Sequence, residues 1–322
     1  MSLSAKTVCL KVDVDTLEGY LEGVPRLLDI MERVGVPATY CVAMGPDRSG
    51  LAVRRVLIRR GFLGKMLRTR GAIKYGMKTM LYGTLLPAPR IAAHKPELLQ
   101  RIADAGHEVI PHGWDHINWH DFLLKWRPEK VQEQLALACE EWERYLPGKC
   151  EAFASPGWQA NETSVLAQEA RGLRYAADTR GATPFFPLVE GRRAKVLQIP
   201  TTLPTLDELI GLPEVPLDEE GMLKHVQGLF ATPPALSGEA GLRAEEWSGL
   251  HIFTLHTEVE GRTWATWFER LLRSLQEDGC EFVTLGALAD RMCQSGAART
   301  ASLHQGTLPG RGGTVSCQAM GE

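Results

Sequence analysis

Five residues of this chain have the types and spacing to carry out hydrolysis together. Asp13 and Asp15, separated by Val14, close an apolar run that begins at Val8. Carboxylates at i and i+2 of an extended chain point to the same side. There they repel unless a cation sits between them or one stays protonated. The competing use of either acid is to cap the helix expected from Leu17, a task Thr16 also fits. His112 and His116, in Pro111-His-Gly-Trp-Asp-His116, are four residues apart, so both imidazoles fall on one face of a helical turn and share a metal. Asp115, Trp114, His120 and Asp121 add further coordinating and aromatic groups nearby. His256 ends the apolar run from Leu250 and is followed by Thr257-Glu258. A histidine in that position more often packs or is solvated, and its weight comes from the other four.

One carboxylate and two imidazoles hold a divalent metal on one face and leave positions open for water and a carbonyl oxygen. A metal of this kind lowers the pKa of a bound water from ~15.7 towards 7. A carboxylate kept off the metal takes the water's proton, and a third histidine protonates a leaving amine. The set suits amide hydrolysis.

To converge, the five residues must sit at one end of a shared sheet. Strand patterns over 8–14, 38–44, 107–111, 151–155, 175–178, 196–200, 250–256 and 280–285 alternate with helical periodicity. The first helix repeats Leu17, Tyr20, Leu21, Val24, Leu28, Met31 and Val34 and stops at Gly35 and Pro37. Later helices are expected over 96–105, 128–146, 161–172 with Asn161 as N-cap, 217–230, 263–278 and 286–293. Repeated βα units imply a parallel sheet, and seven or eight of them imply an α/β barrel whose site lies at the C-terminal strand ends. The 322 residues then make one barrel over 5–293. Residues 294–322, rich in Gly, Ser and Thr, are expected to be a disordered tail.

The net charge of −3 conceals a partition. Residues 48–96 hold 12 Lys/Arg and no acid, which leaves 24 basic against 39 acidic residues elsewhere. Seven scattered cysteines with no CxxC pair argue against a disulfide framework. No charged-then-apolar leader pattern and no run of 18 apolar residues occurs, so a cytoplasmic chain is expected. GxxxxGK[ST], GxGxxG after a strand, GxSxG and HExxH are absent, which removes most support for nucleotide binding and serine hydrolysis.

Asp13-Val14-Asp15, His112-Gly-Trp-Asp-His116 and Leu255-His256, in that order, resemble the three motifs of the polysaccharide deacetylase (NodB-like) family over residues 5–293. The resemblance implies a distorted (β/α)7 barrel. It makes Asp13 the catalytic base, Asp15, His112 and His116 the ligands of one divalent metal (zinc, manganese, cobalt or iron undistinguished), and His256 the general acid. The family often carries an Arg in an RxPxG-like motif that orients the base. Here that stretch reads Phe153-Ala-Ser-Pro-Gly-Trp158. Together with His256-Thr-Glu-Val-Glu-Gly261, the motifs look like the branch that deformylates 4-deoxy-4-formamido-L-arabinose on undecaprenyl phosphate, in lipid A modification and polymyxin resistance. Members of that branch also lack the Arg.

The branch gives the basic segment a use. Between residues 48 and 90, Leu63, Met66, Leu67, Ile73, Met77, Met80 and Leu81 recur at helical spacing among Arg59, Arg60, Lys65, Arg68, Arg70, Lys74 and Lys78, with Tyr75 and Tyr82. A basic amphipathic insertion of this kind lies on anionic membranes. It would place the protein peripherally on the cytoplasmic side of the inner membrane, with a lipid-linked sugar as partner and neither nucleic acid nor nucleotide. The competing uses are a solvated helix face or a nucleic-acid patch. Competing functions are a deacetylase of another N-acyl sugar and a non-catalytic carbohydrate- or lipid-carrier-binding barrel. Arg262, Trp158, Trp114 and Glu258 are candidates for gripping sugar or phosphate, by proximity to the motifs.

Overall fold

In the computed structural model, which describes residues 6–52, 78–233 and 249–319, the chain is organised around β1 (Thr7–Val14). All eight of its residues are buried, as expected for a strand covered on both faces of a parallel sheet. One edge of β1 pairs with β9 (Leu250–His256) from Thr7 to Asp13. The other edge is shared: β10 (Glu281–Phe282) takes Thr7 and Val8, and β2 (Thr39–Val42) takes Lys11 to Val14. β3 (Glu108–Pro111) follows β2. A second sheet holds β4 (Ala152–Phe153), β5 (Tyr175–Ala176) and β8 (Leu197–Gln198), all parallel. Its outer part is β6 (Phe185–Val189), antiparallel to β8, with β7 (Arg192–Arg193) folded back on it.

The two sheets join at both ends. Ala154 N donates to Pro111 O at 2.9 Å, and Thr202 N donates to Ile252 O at 3.1 Å. The resulting ring runs β1-β2-β3-β4-β5-β8-β9, seven strands whose two seams rest on few bonds, which is a distorted (β/α)7 barrel. Helices Val24–Val34 and Ala265–Glu277 cover β1 and β9 from outside with Leu27, Leu28, Met31, Trp267, Phe268 and Leu271. The N-terminal helix differs from its expected form. Residues Gly19–Gly23 make a π-helical turn before the α-helix starts, and a Cβ on Gly23 would lie 2.4 Å from Thr257 O, so only glycine fits there. The helix start thus packs directly on the end of β9.

Asn161 caps the helix Glu162–Arg171 with a reciprocal capping box, as its position predicts. Of the basic insertion, residues 53–77, including Arg59, Arg60, Lys65, Arg68, Arg70 and Lys74, lie outside the described residues. Its flanks come together, with Gly50 N donating to Tyr82 O at 3.0 Å and Pro46 bridging to Arg90.

The expected disordered tail is corrected. β11 (Arg299–Ala301) pairs with β6, and β12 (Leu303–Gly306) and β13 (Val315–Gln318) form a hairpin whose second strand is buried. Val315 and Cys317 pack on Trp158. Gln318 Oε1 accepts from Ala182 N at 3.0 Å, and Gln159 Nε2 donates to Thr314 O at 2.5 Å. Composition misleads here because the segment is held by hydrogen bonds and a few apolar anchors instead of an amphipathic stripe. Each fully buried apolar side chain contributes about 1.5–3 kcal/mol. A chain ending at Ala298 should therefore lose several degrees of Tm by thermal denaturation. An unchanged Tm would show that these strands add nothing to stability.

Candidate active site

The C-terminal ends of β1, β3 and β9 bring all five sequence-predicted residues together. Lys11 and Asp13 share one face of β1 and both are buried. Lys11 Nζ reaches both Asp13 oxygens, at 2.5 and 2.6 Å. Asp13 is thereby occupied. Asp15, one step beyond the strand, faces two imidazoles: its Oδ1 lies 3.4 Å from His112 Nε2 and 3.2 Å from His116 Nε2, while Asp13 Oδ2 is 3.7 Å from the same His112 nitrogen. Neither acid caps the following helix, since Thr16 Oγ1 accepts from Gly19 N at 3.0 Å.

His112 is fixed from behind, and His116 is placed by a helix start. His112 follows β3, and its Nδ1 lies 3.0 Å from Ala154 O. A carbonyl only accepts, so Nδ1 carries the proton and the Nε2 lone pair points at Asp15. His116 opens the helix His116–Phe122. Asp115 caps that helix, accepting from Asn118 N at 3.0 Å, and pairs with Arg48 at 3.0 Å. Asp115 is therefore structural, although the sequence places it among the coordinating groups. His120 pairs with Asp121 at 2.8 Å.

Ligand atoms of Asp15, His112 and His116 all lie within 4.8 Å of one another. Asp15 Oδ1 is buried and accepts no hydrogen bond. Burial alone would raise the Asp15 pKa, but the His116 and His112 imidazoles outweigh it and hold the carboxyl well below its ordinary range. An orphaned carboxylate oxygen facing two nitrogen lone pairs fits a divalent transition metal.

His256 sits opposite Asp13 in the β1–β9 register. Its Nδ1 is 3.1 Å from Asp207 Oδ1. Burial would lower the His256 pKa, and the Asp207 carboxylate reverses this and raises it well above the usual imidazole value. Its backbone N–H donates to Glu260 Oε2 at 3.0 Å. Trp158 meets the His256 ring edge-on at a centroid distance of 6.4 Å.

Lys11, Asp207 and Glu260 are the residues that reading the sequence did not single out. A lone cation in Thr7-Val-Cys-Leu-Lys-Val-Asp-Val14 was a usable signal for Lys11. Asp207 lies inside the Thr205–Glu208 capping box, a helix-start pattern that says nothing of a histidine 49 residues later. Among the four gripping candidates, Trp158 and Glu258 border the site. Glu258 accepts from Thr16 Oγ1 at 2.5 Å, and burial together with the Asp15 charge pushes its pKa up to about 7. Arg262 is engaged by Glu18 at 2.6 Å, and Trp114 lies 5.1 Å beneath Arg90.

Burial pushes the Glu260 carboxyl from 4.5 up to about 7. The folded chain thus binds this proton more tightly than the unfolded chain. The corresponding stability is full below pH 4.5 and is lost as pH rises to about 7. At 1.36 kcal/mol per unit the effect is at most about 3 kcal/mol. Glu260→Gln, which keeps an acceptor for His256 N–H, should flatten the decline of Tm across that window. Equal pH slopes in variant and wild type would contradict it.

Comparison with known proteins agrees with this geometry. Residues 2–176 match the polysaccharide deacetylase family. A probable 4-deoxy-4-formamido-L-arabinose-phosphoundecaprenol deformylase of Shewanella sediminis is 33% identical over 88% of this chain and 86% of its own. The protein of the same name from Wigglesworthia glossinidia brevipalpis is 28% identical over 92% of this chain and 96% of its own. Among solved structures, a probable polysaccharide deacetylase from Pseudomonas aeruginosa PAO1 superposes with a TM-score of 0.60 at 16% identity, over 90% of this chain and 91% of that one. Motif order, barrel and sequence relatives agree: the chain belongs to the polysaccharide deacetylase family.

Proposed function

We propose that this protein hydrolyses the formamide of 4-deoxy-4-formamido-L-arabinose carried on undecaprenyl phosphate, giving formate and the free amine. The observation that carries the reading is the division of labour between Asp13 and Asp15, one held by a buried lysine and the other aimed at two imidazoles. The 33% identity to a relative named for this reaction selects the substrate.

In this reading, Asp15, His112 and His116 hold a divalent metal, which when bound polarises the formyl carbonyl and acidifies water. Asp13 accepts the proton of the attacking water as the new C–O bond forms. Lys11 holds the Asp13 carboxylate in place and limits its rotation. His256, kept charged by Asp207, donates a proton to the nitrogen as the C–N bond breaks, so the sugar leaves as a neutral amine that then protonates in water. Trp158 and Glu258, both buried, lie beside these groups.

A lipid-borne substrate places the work at the cytoplasmic face of the inner membrane. Residues 48–90 would supply the docking surface, each surface Lys/Arg adding about 1 kcal/mol on an anionic leaflet. Leu85, within that stretch, is 80% exposed. No helix among the described residues is long and apolar enough to cross a membrane.

The test is incubation with a formamido-arabinose prenyl phosphate and its acetamido analogue in anionic vesicles, assaying formate and acetate. Release of formate at a rate at least tenfold above that of acetate is expected. Acetate release at an equal or greater rate would replace the deformylase reading with a deacetylase.

A further inference from the structure

The C-terminal hairpin brings a second arginine to the wall that faces His256. Between β12 and β13, Gly310 has a φ of +75°, and a Cβ there would fall 2.1 Å from Glu208 O. Only glycine lets this turn rest on the short helix Leu206–Leu209, which carries Asp207 and Glu208. The next residue, Arg311, then lies with its guanidinium 4.6 Å from the centre of the Trp158 ring. The same indole meets the His256 ring at a centroid distance of 6.4 Å.

Of the cations around that indole, Arg311 is the most loosely paired. Lys11 is matched by Asp13 and His256 by Asp207. Arg180, 4.9 Å from the same ring, takes both oxygens of Glu208 at 3.0 and 3.1 Å and donates to Leu203 O at 2.9 Å. Arg311 reaches Glu208 only at 3.6 Å and Gly157 O at 3.4 Å. It therefore shares the Glu208 carboxylate with Arg180 and holds it at the longer distance. Its side chain is 16% exposed against 9% for Arg180, so Arg311 is the outer of the two.

We infer that Arg311 is a specificity residue that receives the phosphate attached to the substrate sugar. A guanidinium presents parallel N–H donors that match two phosphate oxygens. Stacking on Trp158 fixes the plane of the fork, and its present contacts at 3.4 and 3.6 Å are long enough for a phosphate to compete with them. The ligand class is a sugar phosphate mono- or diester whose amide lies at the metal ligands and whose phosphate lies at the guanidinium beside Trp158. This deepens the deformylase reading and rests on it for the identity of the sugar.

Binding and turnover separate the two claims. Affinities of the metal-loaded protein for 4-formamido-arabinose 1-phosphate and for its methyl glycoside are measured by calorimetry, with formate release followed in parallel. The phosphate should improve affinity about 10- to 100-fold in the wild type, as expected for one charge-assisted hydrogen-bonded pair. In Arg311→Met that ratio should collapse towards one, and Arg311→Lys should retain part of it. A phosphate advantage that survives in Arg311→Met, or is absent from the wild type, overturns the inference. Failure of both sugars to release formate would overturn the deformylase reading alone, because the affinity ratio is read without turnover.

Discussion

The buried contact between Lys11 and Asp13 is the constraint on which the rest of the site depends. Two carboxylates at i and i+2 on the central strand would otherwise repel, and one would take up a proton or turn away. Lys11 neutralises the first from inside the barrel, so the second is free to face His112 and His116. The pair is expensive to bury and more costly to break, since removing the lysine strands a charge at a position that is 3% exposed. Family members often place an arginine after the fourth strand for this purpose. Here that loop reads Ala154-Ser155-Pro156, and the cation comes instead from β1 itself, two residues before the acid it holds.

Around that pair, the rings that face the site are positioned by neighbours outside it. Ala154 O sets the His112 tautomer, the Asp115 cap sets where His116 begins its helix, and Asp207 holds His256. Trp158 is the strained member. Its φ of 54° lies in the left-handed region, where a bulky residue costs about 1–3 kcal/mol. An indole N–H bond to Thr201 Oγ1 at 2.9 Å and the guanidinium groups of Arg180 and Arg311 keep it there. In that conformation the indole meets the His256 ring and carries both guanidinium groups against it.

Much of this was legible in the residue pattern. β9 runs from Leu250 to His256 as its apolar run predicts, and the three motifs converge because parallel strands put their C-terminal ends on one side. What escaped has physical causes. Lys11 hides inside an apolar strand, where hydropathy averages it away. Asp207 reaches His256 from a four-residue helix, a contact that depends on tertiary placement alone. The hairpin that ends in Gln318 binds through amide hydrogen bonds, so it lacks the apolar periodicity by which folded segments are recognised. Its contribution of Arg311 to the wall could not be seen without the fold.

The central claim is that the two aspartates of one motif do different work, and metal content measured beside turnover tests it most directly. Asp15→Asn should bind no stoichiometric divalent metal. Asp13→Asn should bind one equivalent, by elemental analysis, and hydrolyse the formamido sugar at least 100-fold more slowly than the wild type, the upper part of the range a general base contributes. Loss of metal from Asp13→Asn, or turnover at the wild-type rate, would contradict the account.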